Sequence, residues 1–472
     1  MAFSWTRLSA RIMLPSGVAM SYLAEAMDAL GELGPRLGIA RFQESLDPAW
    51  IEEALAATGS ASTRRRRFPA EQAVWLIIGI GLFANRSIQE VSEHLNLVVP
   101  GVPRVAPSSV SDARYRLGHE PMKWLFKKVA TAWSCSPGLG GYHGLALFGV
   151  DGTHLRIPDS DDNYEHFGKP GGRGGTGDAG YPQLRLCTLL SLDTRLIVDA
   201  RFGPFSRSEQ DLATELWPSL PDRSLTILDR GFVNYRVFAK LVSSGTDRHV
   251  MVRMRADMKY ERLELLPDGT ELALLRPSST LVADEPDVAP SLTVRIVHYK
   301  HPDGKASRLC VTLLDAALYP AKELIELYHE RWELEIAYDE MKTHMLHRKE
   351  SLRSQKPVGV EQEVWGLLLA YNLVRREMLL VAAKSRVPPK QISFWNSLLR
   401  IRDFWTFAGM TRSPGNIPAR LADMEADLAT LVLPLRRKDR RYPRHVKIKM
   451  SNYARNRGKR PPKAIEQPAE PC

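Results

Sequence analysis

The stretch Y-H-E-R-W-E-L-E-I-A-Y-D-E-M-K, Tyr328 to Lys342, carries five carboxylates within fifteen residues and sits in a segment that reads as one long helix from Pro320 to about Leu346. With Tyr328 at zero and 100° per residue, Arg331, Glu335 and Lys342 fall at about −60°, −20° and −40°, a strip about 60° wide. Leu327, Leu334, Tyr338, Met341 and Met345 form the core-facing stripe beside it. Glu326, Glu330, Glu333 and Glu340 point away from the strip as solvated surface, and only Asp339 rivals Glu335. Taken alone, Arg331 and Glu335 read as an i,i+4 ion pair worth a few tenths of a kcal/mol. Alternatively, Glu335 is a carboxylate at the border of the core, able to hold a metal between cations that hold phosphates.

Two distant acids weigh on that choice. Asp151 ends an apolar strand in F-G-V-D-G-T, and Asp229 ends another in L-T-I-L-D-R-G-F. Carboxylates at the carboxyl ends of neighbouring strands converge at one edge of an α/β sheet. Two such aspartates and a helix glutamate suit a pair of Mg²⁺ ions about 4 Å apart, the arrangement used for phosphodiester cleavage.

The surrounding pattern supplies that sheet. Leu145–Val150, Leu184–Leu192, Arg195–Phe202 and Ser224–Leu228 read as strands, with helices at Ser208–Trp217 and Tyr235–Ser243. This order fits an α/β sheet with an antiparallel edge. His249 to Leu314 is strand-like again, with turns at Pro267-Asp-Gly-Thr and Pro302-Asp-Gly-Lys, and Glu361–Lys384 reads as a buried helix. Upstream, Leu46–Ala57 and Ala70–Ala84 read as helices, followed by short ones opened by capping signals at Ser87-Ile-Gln-Glu90 and Ser109-Val-Ser-Asp112. The last presents Arg114 and Arg116, either as a recognition helix on DNA or as surface arginines of a bundle.

Composition sets the class. A chain of 472 residues, 44% hydrophobic and 25% charged, has room for two or three packed domains. The longest apolar run, Val74–Ala84, is too short to cross a bilayer, and no secretory signal stands before it, so a cytoplasmic location is expected. The four cysteines lack zinc or disulfide spacing. Arg436 to Lys463 holds thirteen Lys or Arg against Asp439 alone; the net charge of +11 therefore belongs to the tail, and the remainder is near −1. With the cluster Arg64–Arg67, the tail makes nucleic acid the leading partner. The glycine-rich stretch Phe167–Pro182 lacks phosphate-loop spacing and reads as a mobile loop whose Lys169 and Arg173 could settle on a phosphate backbone.

The spacing Y-x2-R-x3-E-x6-K, filled by Tyr328, Arg331, Glu335 and Lys342, with D-G-T and L-D-R-G-F upstream, resembles the DDE transposases of the insertion-sequence-4 type. Phe42–Leu97 and S-S-V-S-D-A-R-Y-R-L-G resemble that family's N-terminal DNA-binding region, and Y-P-Q-L-R-L and R-Y-P-R-H-V-K are also similar. The resemblance implies an α/β fold: an RNase H-like catalytic core with a β-rich insertion, a helical N-terminal DNA-binding domain, and a helical C-terminal region with a basic tail. The 106 positions between Asp229 and Glu335 leave space for the insertion. The expected segments are 1–25 unassigned, 26–135 DNA-binding, 140–248 core, 249–316 insertion, 317–385 core, 386–435 helical and 436–472 tail.

By this resemblance Asp151, Asp229 and Glu335 are the catalytic residues and bind two Mg²⁺ or Mn²⁺ ions, while Tyr328, Arg331 and Lys342 contact DNA near the transposon end. The expected activity is cut-and-paste transposition: binding of terminal inverted repeats in double-stranded DNA, cleavage, and strand transfer into target DNA. A homodimer in the synaptic complex, no membrane contact and a prokaryotic, nucleoid-associated location are expected with it. The rivals are a DNA-binding regulator with a silent core and a metal-dependent nuclease without strand transfer. One departure stands out: hairpin-forming relatives commonly place a tryptophan in the insertion to hold a flipped base, and none occurs here between Trp217 and Trp332. The insertion offers Tyr260, Tyr299 or His298; Trp332 either stacks on a base or packs under the insertion.

Overall fold

The computed structural model describes residues 46–61, 68–95, 106–134, 141–170, 180–300, 306–347, 351–410 and 414–434. The N-terminal extension 1–25, the arginines 64–67, Arg173 and the basic tail 436–472 lie outside the described residues.

The described residues open with five helices: α1 Pro48–Ala57, α2 Ala70–Leu82, α3 Ile88–His94, α4 Pro107–Leu117 and α5 Glu120–Ser134. Ser87 and Glu90 close the capping box that opens α3. The expected cap at Ser109 is corrected: α4 begins at Pro107, which needs no amide partner at the first helical position. Gly118, at φ 72°, ends α4 in a conformation that suits glycine.

Strands and helices then alternate through β1 Ala146–Arg156, α6 Asp161–Phe167, β2 Gln183–Ser191, β3 Ile197–Pro204, α7 Glu209–Thr214, β4 Ser224–Leu228, α8 Tyr235–Ser243 and β5 Arg248–Arg253. Next come β6 Glu261–Leu265, β7 Glu271–Leu275, α9 Ser279–Asp284, β8 Leu292–Lys300 and β9 Ala306–Val311. The described residues close with α10 Ala321–Tyr328, α11 Trp332–Asp339, α12 Pro357–Ser385, α13 Phe394–Met410 and α14 Ile417–Thr430.

All nine strands belong to one mixed sheet in the order β3-β2-β1-β4-β5-β9-β8-β7-β6. β1, β4 and β5 run parallel, and β2 and β3 form the antiparallel edge that the sequence pattern leads one to expect. All five residues of β4 are buried, Ser224 and Thr226 included, because helices cover both of its faces. On the other side β9 pairs antiparallel with β5, so β6–β9 prolong the same sheet.

The larger core gathers α2, α11 and α12 on one face of the sheet, and the smaller gathers α7 and α8 on the other. Two glycines set how closely the helices approach. A Cβ on Gly366 would stand 2.7 Å from the backbone oxygen of Ile77, and one on Gly81 would stand 2.6 Å from that of Gly366. Backbone thus meets backbone where α2 crosses α12. Among the described residues no helix is long and apolar enough to cross a membrane.

The opening stretch is not one helix. α10 ends at Tyr328, His329–Arg331 is a 3₁₀ turn, α11 runs from Trp332, and Glu340–Met345 is a π turn. A 3₁₀ turn has three residues per turn and a π turn closes i to i+5, so a uniform 100° step fails at both ends. The expectation that Glu333 and Glu340 are solvated fails with it. Arg195 donates to both, and Glu340 is buried against Arg375.

Candidate active site

The parallel register of three strands organises this site. Val150 pairs with Leu228 and Leu228 with Val252, so Asp151, Asp229 and Arg253 are the next residues in one row. Asp151 does not end its strand, as the apolar run suggested: β1 continues to Arg156 because β2 keeps pairing with it after β4 has stopped. Asp229 follows β4 directly and leads into a 3₁₀ turn.

Asp151 is anchored through its backbone. Its carbonyl accepts the Tyr338 hydroxyl at 2.5 Å, and its Oδ1 accepts the Gly152 amide at 2.8 Å. Tyr338 also bonds Thr188 at 2.9 Å, linking α11 to β1 and β2. The strand and helix approach closely at Gly149, where a Cβ would stand 2.7 Å from Leu334 Cδ1. Burial pushes the Asp151 carboxyl up to about 6; the charges of Asp229 and Glu209 add to this, against the Gly152 amide and Arg331.

Arg331 stands between the other two acids. Its Nη2 donates to Glu335 Oε1 at 2.8 Å and its Nε is 3.9 Å from Asp229 Oδ1. Burial opposes its charge, but Glu335, Tyr328 and Asp229 hold the guanidinium protonated. Lys342, carried by the π turn, donates to Thr153 Oγ1 at 3.2 Å, two residues beyond Asp151. Among the described residues the buried Tyr328 phenol has no hydrogen-bond partner, and burial pushes it up to about 12. Trp332 is 50% exposed, with the Arg331 guanidinium 5.7 Å from its ring.

The fold therefore brings Asp151, Asp229, Tyr328, Arg331, Trp332, Glu335 and Lys342 to one edge of the sheet. It does not bring Arg114 there. Val110, Ala113, Arg114 and Leu117 share the inward face of α4, and Arg114, only 5% exposed, pairs with Glu363 at 3.5 Å and donates to Ser354 at 3.2 Å. Its expected exposure to DNA is corrected: the helical phase that buries Val110 and Leu117 carries Arg114 inward with them. Arg116 is exposed. Lys169, at the start of the glycine-rich stretch, pairs with Asp159 at 2.9 Å.

Arg253 escaped the sequence reading although its signal was present, since it follows the apolar strand H-V-M-V just as the aspartates follow theirs. Its Nε is buried and has no hydrogen-bond partner among the described residues. Glu209 also escaped, because it opens a six-residue helix; its carboxylate lies where a Gly152 Cβ would be.

The three acids offer only carboxylate oxygens, a donor set suited to hard divalent cations. Among the described residues no three His, Cys, Asp or Glu side chains are gathered as a ligand set, and Arg331 fills the interval between Asp229 and Glu335.

Residues 36–127 match the family described as insertion element 4 transposase N-terminal, and residues 143–373 match the transposase DDE domain. The chain is 34% identical over 436 residues to the transposase InsG for insertion sequence element IS4 of Escherichia coli (strain K12), spanning 92% of this chain and 97% of that one. The cryo-EM structure of a piggyBac transposase synaptic complex with hairpin DNA aligns with a TM-score of 0.43 at 10% identity, covering 86% of this chain and 87% of that one. On these matches the chain belongs to the insertion-sequence-4 family of DDE transposases.

Proposed function

We propose that Asp151, Asp229 and Glu335 are the catalytic acids of a cut-and-paste transposase with an RNase H-like core, which binds its element's terminal inverted repeats and works as a homodimer across two ends. The observation that carries this reading is the shared register of Asp151 and Asp229, with Glu335 facing them from α11 and tied to Asp229 through Arg331. A DDE domain implies dependence on divalent metal. Two Mg²⁺ ions, or Mn²⁺, held by the three acids would supply an activated water or 3′-hydroxyl and a stabilised leaving oxygen.

The chain's own groups do the rest. Tyr338 fixes the backbone of Asp151, so that its carboxylate keeps one orientation. Arg331, on meeting a phosphate, exchanges its carboxylates for phosphate oxygens, which its planar fork suits. Lys342 and Arg253 place positive charge on either side of the aspartates, where the two flanking phosphates would run. Trp332 offers an exposed ring for stacking on a base beside the cleaved bond. Residues 26–135 would bind the repeat with Arg116 on an outer face, and the basic tail would add sequence-independent affinity.

Asp229→Ala tests the assignment. The variant is expected to bind a duplex carrying the terminal repeat with a Kd close to wild type and to lose Mg²⁺-dependent cleavage; undiminished cleavage overturns it. Supplying pre-cut ends and a target plasmid to the wild-type protein separates transposition from nuclease activity, since joining supports the former.

A further inference from the structure

Two acids of the opening stretch that face away from the catalytic edge, Glu333 and Glu340, are bound by arginines from distant elements. Glu340 is buried and accepts three donors: Arg195 Nη1 at 3.0 Å, the Tyr371 hydroxyl at 3.1 Å, and Arg375 Nη2. Arg195 also donates its Nε to Glu333. One guanidinium therefore grips the segment on both sides of Glu335, two residues before it and five after. Arg195 lies in the tight connection between β2 and β3 at φ 59°, with its amide bonded to the Ser191 carbonyl at 2.8 Å. Arg375 comes from α12, its guanidinium 5.1 Å from the Phe394 ring.

Burying two guanidiniums and two carboxylates is a poor way to gain stability, because desolvation offsets most of the attraction; apolar side chains of similar volume do as well or better. What the network does supply is geometry. Glu340 is the first residue of the π turn, whose wider winding carries Lys342 to Thr153. Glu333 and Leu334, held by Arg195 and packed against Gly149, fix the helical phase that presents Glu335.

We propose that Arg195, Glu340 and Arg375 are positioning residues for the transposition chemistry. They lock α11 and the π turn onto the sheet so that Glu335 and Lys342 reach the catalytic edge together. This rests on the reading of Glu335 as a catalytic acid, so Glu335→Ala serves as the control.

The test compares Arg195→Lys, Glu340→Gln and the double variant Glu340→Leu with Arg375→Met. Each is measured by thermal unfolding, by Kd for a terminal-repeat duplex, by the Mn²⁺ concentration that half-saturates the protein without DNA (electron paramagnetic resonance), and by kcat and KM for end cleavage. Arg195→Lys keeps a charge that can reach one acid but not both, and the double variant replaces the buried pair with apolar volume. The expected result is a folded protein with unchanged Kd and KM, a kcat lowered about tenfold to a hundredfold, and a raised Mn²⁺ half-saturation. Should the double variant fail to fold, Arg195→Lys decides. Folded variants with wild-type kcat and Mn²⁺ half-saturation overturn the positioning role. Glu335→Ala retaining wild-type cleavage and Mn²⁺ binding overturns the site assignment beneath it.

Discussion

The Tyr338 hydroxyl donates to the backbone carbonyl of Asp151 at 2.5 Å, a direct tie between the helix that carries Glu335 and the strand that carries the first aspartate. The same oxygen bonds Thr188, so one buried phenol joins three elements. Tyr338→Phe keeps the ring and removes both bonds. It is expected to cost on the order of 1–2 kcal/mol in denaturant unfolding and to slow end cleavage with little change in DNA affinity. Wild-type rates in the folded variant would show that the bond has no part in setting the site.

Asp151 sets stability against function. Its carboxyl ionises near 3.8 in the unfolded chain and near 6 in the fold, chiefly through burial. Between those values the folded state binds more protons, so Asp151 makes stability fall as pH rises through this window, with its full penalty above about 6. Asp151→Asn is expected to abolish cleavage. In the presence of EDTA it should be more stable than wild type by up to about 2 kcal/mol at neutral pH, with the difference vanishing near pH 4. Equal unfolding midpoints at neutral pH contradict this.

Arg114 and Arg116 are two residues apart on α4 and have opposite surroundings. Arg114→Ala leaves Glu363 buried without its guanidinium and is expected to destabilise the fold by about 3–5 kcal/mol. Arg116→Ala should leave unfolding within about 0.5 kcal/mol of wild type and, if this face meets the repeat, weaken binding. Denaturant titrations beside gel-shift measurements separate the pair, and a reversal of the two stability effects would contradict the packing described.

The crossing of α2 and α12 admits no side chain at its closest point. Gly366→Ala places a Cβ 2.7 Å from the Ile77 Cγ2 and backbone oxygen, which forces the helices apart. The expected loss is about 1–3 kcal/mol, read as a lowered melting temperature. An unchanged value would mean that the two helices separate at no cost.

Much of this was legible in the chain. The strand Ser224–Leu228 and the helix Tyr235–Ser243 are where the pattern put them, because a short β-branched and apolar segment bounded by turn residues and an amphipathic period each carry one reading at these lengths. Asp229 was legible for the same reason. Arg114 was not legible from the capping signal, which marks only where a helix starts, whereas the helical phase decides which way a side chain faces. Glu333 and Glu340 were misread because charge in a helix ordinarily marks solvent. Their partners, Arg195 and Arg375, lie 138 and 35 residues away respectively, beyond any local pattern.

The sequence by itself determined the order of strands and helices, the acid that follows β4, and the family spacing from Tyr328 to Lys342, since all of these depend on residue type and local period. Only the tertiary structure decided the register that puts Arg253 beside the two aspartates, the continuation of β1 past Asp151, and the break of one expected helix into 3₁₀, α and π segments. Pairing and winding of this kind are settled by partners distant in the chain: β2 for the strand, and Arg195 and Arg375 for the helix.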